Sequence, residues 1–136
     1  MYPLAYISTF GLSVGEKDIA DILEHSRANN RRDRITGILI ADGMRFLQVL
    51  EGDRFKVEAA FARISGDTRH FGIYKLTGRD VPGREFGEWD MAYRHVQTAA
   101  DENDLVARAE LMTAQLPDGQ TRDRLRHFLR LDRQSL

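Results

Sequence analysis

The chain has 136 residues, 42% of them hydrophobic, and a formal net charge of -1. That length and apolar content suit one compact domain with a real core, while the near-neutral balance gives no global drive toward nucleic acid or a membrane surface. Cysteine is absent, which excludes a disulfide framework, a thiol nucleophile, a thiolate metal site and a cofactor linked through sulfur, and suits a cytoplasmic protein. The N-terminal MYPLAYISTF lacks the basic start and long apolar run of a secretion signal. No stretch reaches the roughly 20 apolar residues that span a bilayer, so no membrane partner is expected.

Leu4 to Thr9 reads as a short strand with Leu4, Tyr6 and Ser8 on one face and Ala5 and Ile7 on the other. Ser13 or Gly15 caps a helix beginning near Glu16, with Ile19, Ile22, Leu23 and Ser26 along its inner face. Two asparagines, Asn29 and Asn30, disfavour its continuation past about Ala28, and a basic linker carrying Arg31, Arg32 and Arg34 leads onward. Ile35 to Ile40 and Phe46 to Leu50 are β-rich runs around Asp42-Gly43, a dipeptide suited to the positive φ of a hairpin turn. In the second run Phe46, Gln48 and Leu50 share a face. Asp53 caps a second helix, with Val57, Ala60, Phe61 and Ile64 inward, that stops around Gly66. Phe71 to Thr77 is another strand. After a loop with Pro82 and Gly83, the alternation Trp89, Met91, Tyr93 gives a fifth, with its first two members on one face. Leu105, Ala109, Met112 and Leu116, then Leu125, Phe128 and Leu129, follow helical spacing on either side of the turn Pro117-Asp118-Gly119.

The order βαββαβ plus one strand predicts an α+β sandwich of ferredoxin-like type. Right-handed crossovers place both helices on one face of a mixed sheet. The opposite face would be bare, and the two C-terminal helices are expected to cover it. The expected division is a domain over residues 1–97 and a helical extension over 98–136 packed on the sheet.

An amide such as Gln48, set between two large apolar residues, needs partners, because an unpaired buried polar group costs about 1–3 kcal/mol. Asn29, Asn30 and Gln48 together offer the donors and acceptors that match the mixed edge of an isoalloxazine ring. Tyr6 adds a phenol that can hydrogen-bond Gln48 and give up an electron and a proton to an excited oxidant. The same residues also fit a plainer arrangement, in which Tyr6 and Gln48 are a satisfied core pair and the asparagines cap the helix. Arg31, Arg32 and Arg34 fit either phosphate binding or a solvated loop, and His70 is equally open. His25, His95 and His127 lack the spacing of a zinc site, so no metal is assigned.

The ordered motifs Tyr6-x-Ser8, SRANN at 26–30, ITGILI at 35–40, FLQVLEG at 46–52 and D-x-RH at 67–70, joined by Trp89 and Met91, resemble the BLUF family of blue-light sensors using FAD. The resemblance covers about residues 4 to 95. It implies a non-covalent FAD, with FMN the alternative, held by Asn30 at the pyrimidine edge with help from Asn29. Ile22 and Ile64 would grip the ring between the two helices, and Arg63 and Asp67 would lie near its polar edge and side chain. Tyr6 would be the photoactive tyrosine, and Gln48 the glutamine that rotates or tautomerises after Tyr6 yields its electron and proton. Trp89 and Met91 match the family's pair near that glutamine, of which either member faces inward, and would relay the signal. The reading is a light-sensing protein rather than an enzyme, acting through an unidentified downstream signalling protein or a second copy of itself, with no nucleic acid expected. The rivals are an RNA-binding module on the same βαββαβ sheet and a small acyl-phosphate hydrolase.

Overall fold

A computed structural model of the chain describes residues 1–10, 14–77, 80–87, 89–96 and 105–128. Runs rich in β-branched, aromatic and other apolar residues form β1 (Tyr2–Phe10), β2 (Thr36–Ala41), β3 (Arg45–Gly52), β4 (His70–Thr77) and β5 (Ala92–His95). They make one five-stranded sheet in the order β4-β1-β3-β2-β5. All pairs are antiparallel except β2 with β5. The β2–β3 hairpin closes as its composition requires: Gly43 has φ +92, and Asp42 Oδ1 accepts from the backbone N–H of Met44 at 3.0 Å and Arg45 at 2.8 Å. A bulge interrupts the β1–β4 register between Ile7 and Thr9, facing Gly72 at φ +60.

Helices α1 (Glu16–Asp33) and α2 (Arg54–Ser65) cover one face. Gly15 is the N-cap of α1, its N–H held by the Asp18 carboxylate, and Asp53 caps α2 by accepting from Lys56 N–H at 3.2 Å. Leu23, Val57 and Ala60 pack there on Leu4, Tyr6, Leu39, Phe46 and Leu50. Two further helices, α3 (Leu105–Thr113) and α4 (Gln120–Phe128), lie on the opposite face. Met112, Leu116 and Leu125 are buried among Ile38, Ile40, Leu47, Val49 and Leu76, each such side chain contributing about 1.5–3 kcal/mol. The ferredoxin-like sandwich with an added strand and a helical cover on the second face is thus the observed architecture. The expected cap residue Ser13 and the stripe residue Leu129 lie outside the described residues. Among those described, no helix is long and apolar enough to cross a membrane.

Two boundaries differ from the sequence expectation. Helix α1 does not stop near Ala28 but runs to Asp33, so Asn29 and Asn30 stand in its last turns rather than in a linker. The modest helix penalty of asparagine, a few tenths of a kcal/mol, is offset by Asn30, whose Nδ2 donates to Asp90 O at 2.8 Å. The helix closes at Arg34 in the left-handed region, φ 56, and Ile35 N–H donates to Asn30 O at 2.8 Å. Strand β5 starts at Ala92, three residues later than the Trp89–Met91–Tyr93 alternation suggests. The backbone just before it is committed elsewhere: Trp89 O accepts from Gly37 N–H at 3.0 Å, and Met91 O from Arg27 Nε at 3.0 Å. Trp89 and Met91 therefore do not share a face. Met91 is buried, while Trp89 is 44% exposed with the Arg94 guanidinium 5.8 Å from its ring centre.

Close packing of β2 on β3 gives a direct test. A Cβ at Gly37 would lie 2.0 Å from Val49 O, a backbone atom that cannot step aside. Gly37→Ala is expected to destabilise the fold by about 3 kcal/mol or more, read as a lowered urea midpoint. An unchanged midpoint would show that the ladder is looser here than described.

Candidate functional site

The strand alternation that buries Leu4 and Leu50 also turns Tyr6 and Gln48 toward α1 and α2, and the β1–β3 register sets them directly opposite each other. Both are 2% exposed. The Tyr6 hydroxyl donates to Gln48 Oε1, and Gln48 Nε2 donates to the Met91 sulfur at 3.5 Å. The glutamine amide is held on one side by a phenol and on the other by a thioether, which is a weak acceptor. Burial pushes the Tyr6 hydroxyl well above the ordinary tyrosine range, and the Asp67 charge pushes it the same way.

This pair forms the floor of a cleft between α1 and α2. Ile22 and Ile64 line it from the two helices, Asn29 and Asn30 come from the last turns of α1, and Arg63 and Asp67 stand at the α2 end. The cavity measures about 160 Å³ and opens to solvent at its mouth. All eight residues expected to act on a flavin through the floor, walls and rim are brought together here; Trp89 is not among the lining residues, and Met91 reaches the site only through Gln48.

Several contributors were not assigned from the sequence. Arg69 lines the cleft and clamps its rim: its Nη2 meets Asp67 Oδ2 at 2.7 Å, and its Nη1 meets Asp21 Oδ2 on α1 at 3.0 Å. The hydrogen bond from Arg69 holds the Asp67 carboxyl below its usual range. His70, left open by the sequence, spans β1 and α2. Its Nε2 lies 2.7 Å from Ile64 O and its Nδ1 2.8 Å from Ser8 Oγ. Because a carbonyl only accepts, Nε2 carries the hydrogen, and in the neutral ring Nδ1 accepts from the Ser8 hydroxyl. Phe46, Leu39 and Ala60 complete the apolar lining. The D-x-R-H run marked Arg69 and His70 as notable, but their partners are distant in sequence and no local pattern encodes them. Of the three arginines in the basic stretch, Arg31 pairs with Asp90 at 3.0 Å and Arg32 with Asp33 at 3.1 Å, while Arg34 is the exposed helix end.

The donor set fits the isoalloxazine of FAD. The slot has two aliphatic walls, and amides stand at its end. One N–H of Asn30 is engaged by Asp90 O, leaving its carbonyl and second N–H to a ligand. The half-buried Asn29 amide makes no hydrogen bond to a described residue. Donors and acceptors are thus available together where a ring with a mixed polar edge needs both.

The raised Tyr6 pKa has a checkable consequence. A free tyrosine is half ionised at about pH 10, whereas Tyr6 is expected to stay protonated there. Wild type and Tyr6→Phe should then show the same tyrosinate absorbance at that pH, and a deficit in the variant would contradict the assignment. Because the unfolded phenol ionises first, its contribution to stability is complete below about pH 10 and declines as pH rises toward the folded value.

Comparison with known proteins agrees with this geometry. A family model described as "BLUF: Sensors of blue-light using FAD" matches residues 1–92. The blue light- and temperature-regulated antirepressor BluF of Escherichia coli (strain K12) is 33% identical over 75 residues, 55% of this chain and 19% of that protein, so the chain spans about a fifth of that relative's length. The dark-state structure of the BLUF protein BlrB is 35% identical with a TM-score of 0.67, covering 69% of this chain and 71% of that one. The ground-state structure of BlsA is 26% identical with a TM-score of 0.68, covering 95% of this chain and 85% of that one. The paired tyrosine and glutamine, the amide-lined cleft and the matched model agree: this chain belongs to the BLUF family, the sensors of blue light using FAD.

Proposed function

We propose that residues 1–97 form the photosensor unit and residues 98–136 a helical extension that carries the output, with Tyr6 and Gln48 as the light-responsive pair. The observation that supports this most is the Tyr6–Gln48–Met91 chain at the floor of the cleft. When bound, FAD supplies the absorption of blue light and, once excited, the demand for an electron. In the resting arrangement the Tyr6 phenol holds its proton against Gln48 Oε1, which is the path for proton transfer between the two side chains. Gln48 has an alternative: rotating its amide puts Nε2 toward the Tyr6 oxygen and Oε1 toward Met91. The tyrosine hydroxyl can both donate and accept, so it is satisfied in either state. On the Met91 side the bond given up is a weak one to sulfur. Met91 is the proposed partner that senses the rotation, and Trp89, two residues before it on the surface, is the proposed relay to solvent.

The remaining cleft residues have binding roles. Ile22 and Ile64 sandwich the ring, Asn29 and Asn30 hold its polar edge, and Arg63 and Asp67 flank its side chain. We further propose that the chain is a sensor without catalytic output of its own, that it works in the cytoplasm, and that it hands its state to a downstream signalling protein or to a second copy. Support comes from the family's description as sensors and from the description of the E. coli relative as an antirepressor. An RNA-binding sheet is disfavoured because the face opposite α1 and α2 is taken up by Met112, Leu116 and Leu125. The hydrolase reading finds no support in the family match.

Two experiments test this reading. Acid precipitation should release all the flavin, since no cysteine is available for a thioether link, and chromatography of the released material should identify FAD rather than FMN; flavin retained on the denatured chain would contradict non-covalent binding. Blue light should shift the flavin band reversibly to the red in wild type, whereas Tyr6→Phe and Gln48→Leu should bind flavin yet lose the shift. A full shift in Tyr6→Phe would exclude the phenol as the donor.

A further inference from the structure

Three residues beyond Gln48 on the same central strand stands Glu51, a carboxylate with 0% exposure. Opposite parity turns it to the other face of the sheet, where α3 and α4 pack, about 10 Å along the strand from the glutamine. A carboxylate this deeply buried must be fully engaged. It accepts from Thr36 Oγ1 at 2.8 Å and from the backbone N–H groups of Glu85 and Phe86, each at 2.9 Å. The Arg84 guanidinium closes the cluster, donating to Thr36 Oγ1 at 2.8 Å and to Arg34 O at 2.7 Å. The turn at 84–86 is therefore fastened to β3, and its position follows that strand.

From this turn the Glu85 side chain reaches outward, and its Oε2 accepts from the backbone N–H of Thr121 at 3.2 Å, in the first turn of α4. The helix is preceded by Gly119, which has no side chain to cap it. A Cβ at Gly119 would stand 2.4 Å from Glu85 Oε2. Glu85 thus occupies the place of an N-cap supplied from another part of the fold. Buried carboxylate, turn and helix end form one hydrogen-bonded series, and the backbone of β3 joins it to Gln48.

We propose that Glu85 is a positioning residue for signal output: a strut through which a change at Gln48, carried by β3 and Glu51, reaches the N-terminus of α4. The proposal rests on the photoreceptor reading above and adds a second route, separate from Met91 and Trp89. Coupling requires an element with two arrangements that both ends bias; here the N-terminal turn of α4 is either capped by Glu85 or released.

The test is amide hydrogen exchange of the full flavin-bound chain, in darkness and under blue light, read over residues 120–128 with the flavin spectrum recorded on the same samples. Wild type is expected to show the red shift and a light-dependent change in exchange across 120–128. Glu85→Ala keeps its backbone bond to Glu51 and should keep the full shift but lose that change, while Glu85→Gln retains an acceptor and should restore it. Gly119→Ser separates coupling from simple capping: its hydroxyl can cap α4 while its Cβ displaces Glu85, so α4 should stay protected in darkness yet no longer respond to light. A light response over 120–128 that persists in both Glu85→Ala and Gly119→Ser would overturn the strut, as would a wild type that shifts fully with no change there. A wild type with no spectral shift would bring down the photoreceptor reading on which the strut depends.

Discussion

The hydrogen bond from the Tyr6 phenol to the Gln48 amide is the interaction around which the rest of the molecule is arranged. Two polar side chains, each almost without solvent exposure, meet across the β1–β3 ladder at the bottom of the cleft between α1 and α2. Inside the protein such a bond is stronger than in water, and leaving either partner unpaired costs about 1–3 kcal/mol. That cost holds the amide to a small number of discrete arrangements, the property a switch needs. The thioether on the far side of the amide is only a weak acceptor, so the Gln48 N–H gives up little when it turns away from it.

Everything around the pair serves to hold it and to leave a ligand edge open. The antiparallel register brings Tyr6 opposite Gln48. The bulge at Gly72 lets β4 deliver His70 to Ser8 and to the carbonyl of Ile64, joining strand to helix beside the tyrosine. Arg69 ties the α2 end of the cleft to Asp21 on α1, so both walls of the slot are linked at the rim as well as through the core. On the other face, α3 and α4 seal the sheet with apolar side chains. A disturbance at Gln48 lies one strand's thickness away from that packing.

The parts of this arrangement that depend on local periodicity were legible in the sequence. Period-two alternation put Tyr6 and Gln48 on one face, helical spacing turned Ile22 and Ile64 inward, and Asp42-Gly43 marked the hairpin. What could not be read locally was decided by contacts between distant residues. The asparagines suggested an end to α1 because their intrinsic propensity is poor, but a hydrogen bond from Asn30 to Asp90 outweighed that small penalty. The alternation Trp89, Met91, Tyr93 suggested a strand with one inner face, yet the backbone there is bonded to Gly37 and Arg27, and only the residues from Ala92 onward join the ladder. The Ser8–His70–Ile64 and Glu51–Glu85–Thr121 series were invisible for the same reason, since each joins segments that the chain order keeps apart.

The central claim, that light rearranges the Gln48 amide against Tyr6, is tested most directly by an infrared difference spectrum between illuminated and dark protein, recorded with and without isotopic labelling of the glutamine side-chain amides. The account predicts label-sensitive difference bands in wild type that vanish in Gln48→Leu. A difference spectrum that shows the flavin response in full but contains no label-sensitive band would contradict it.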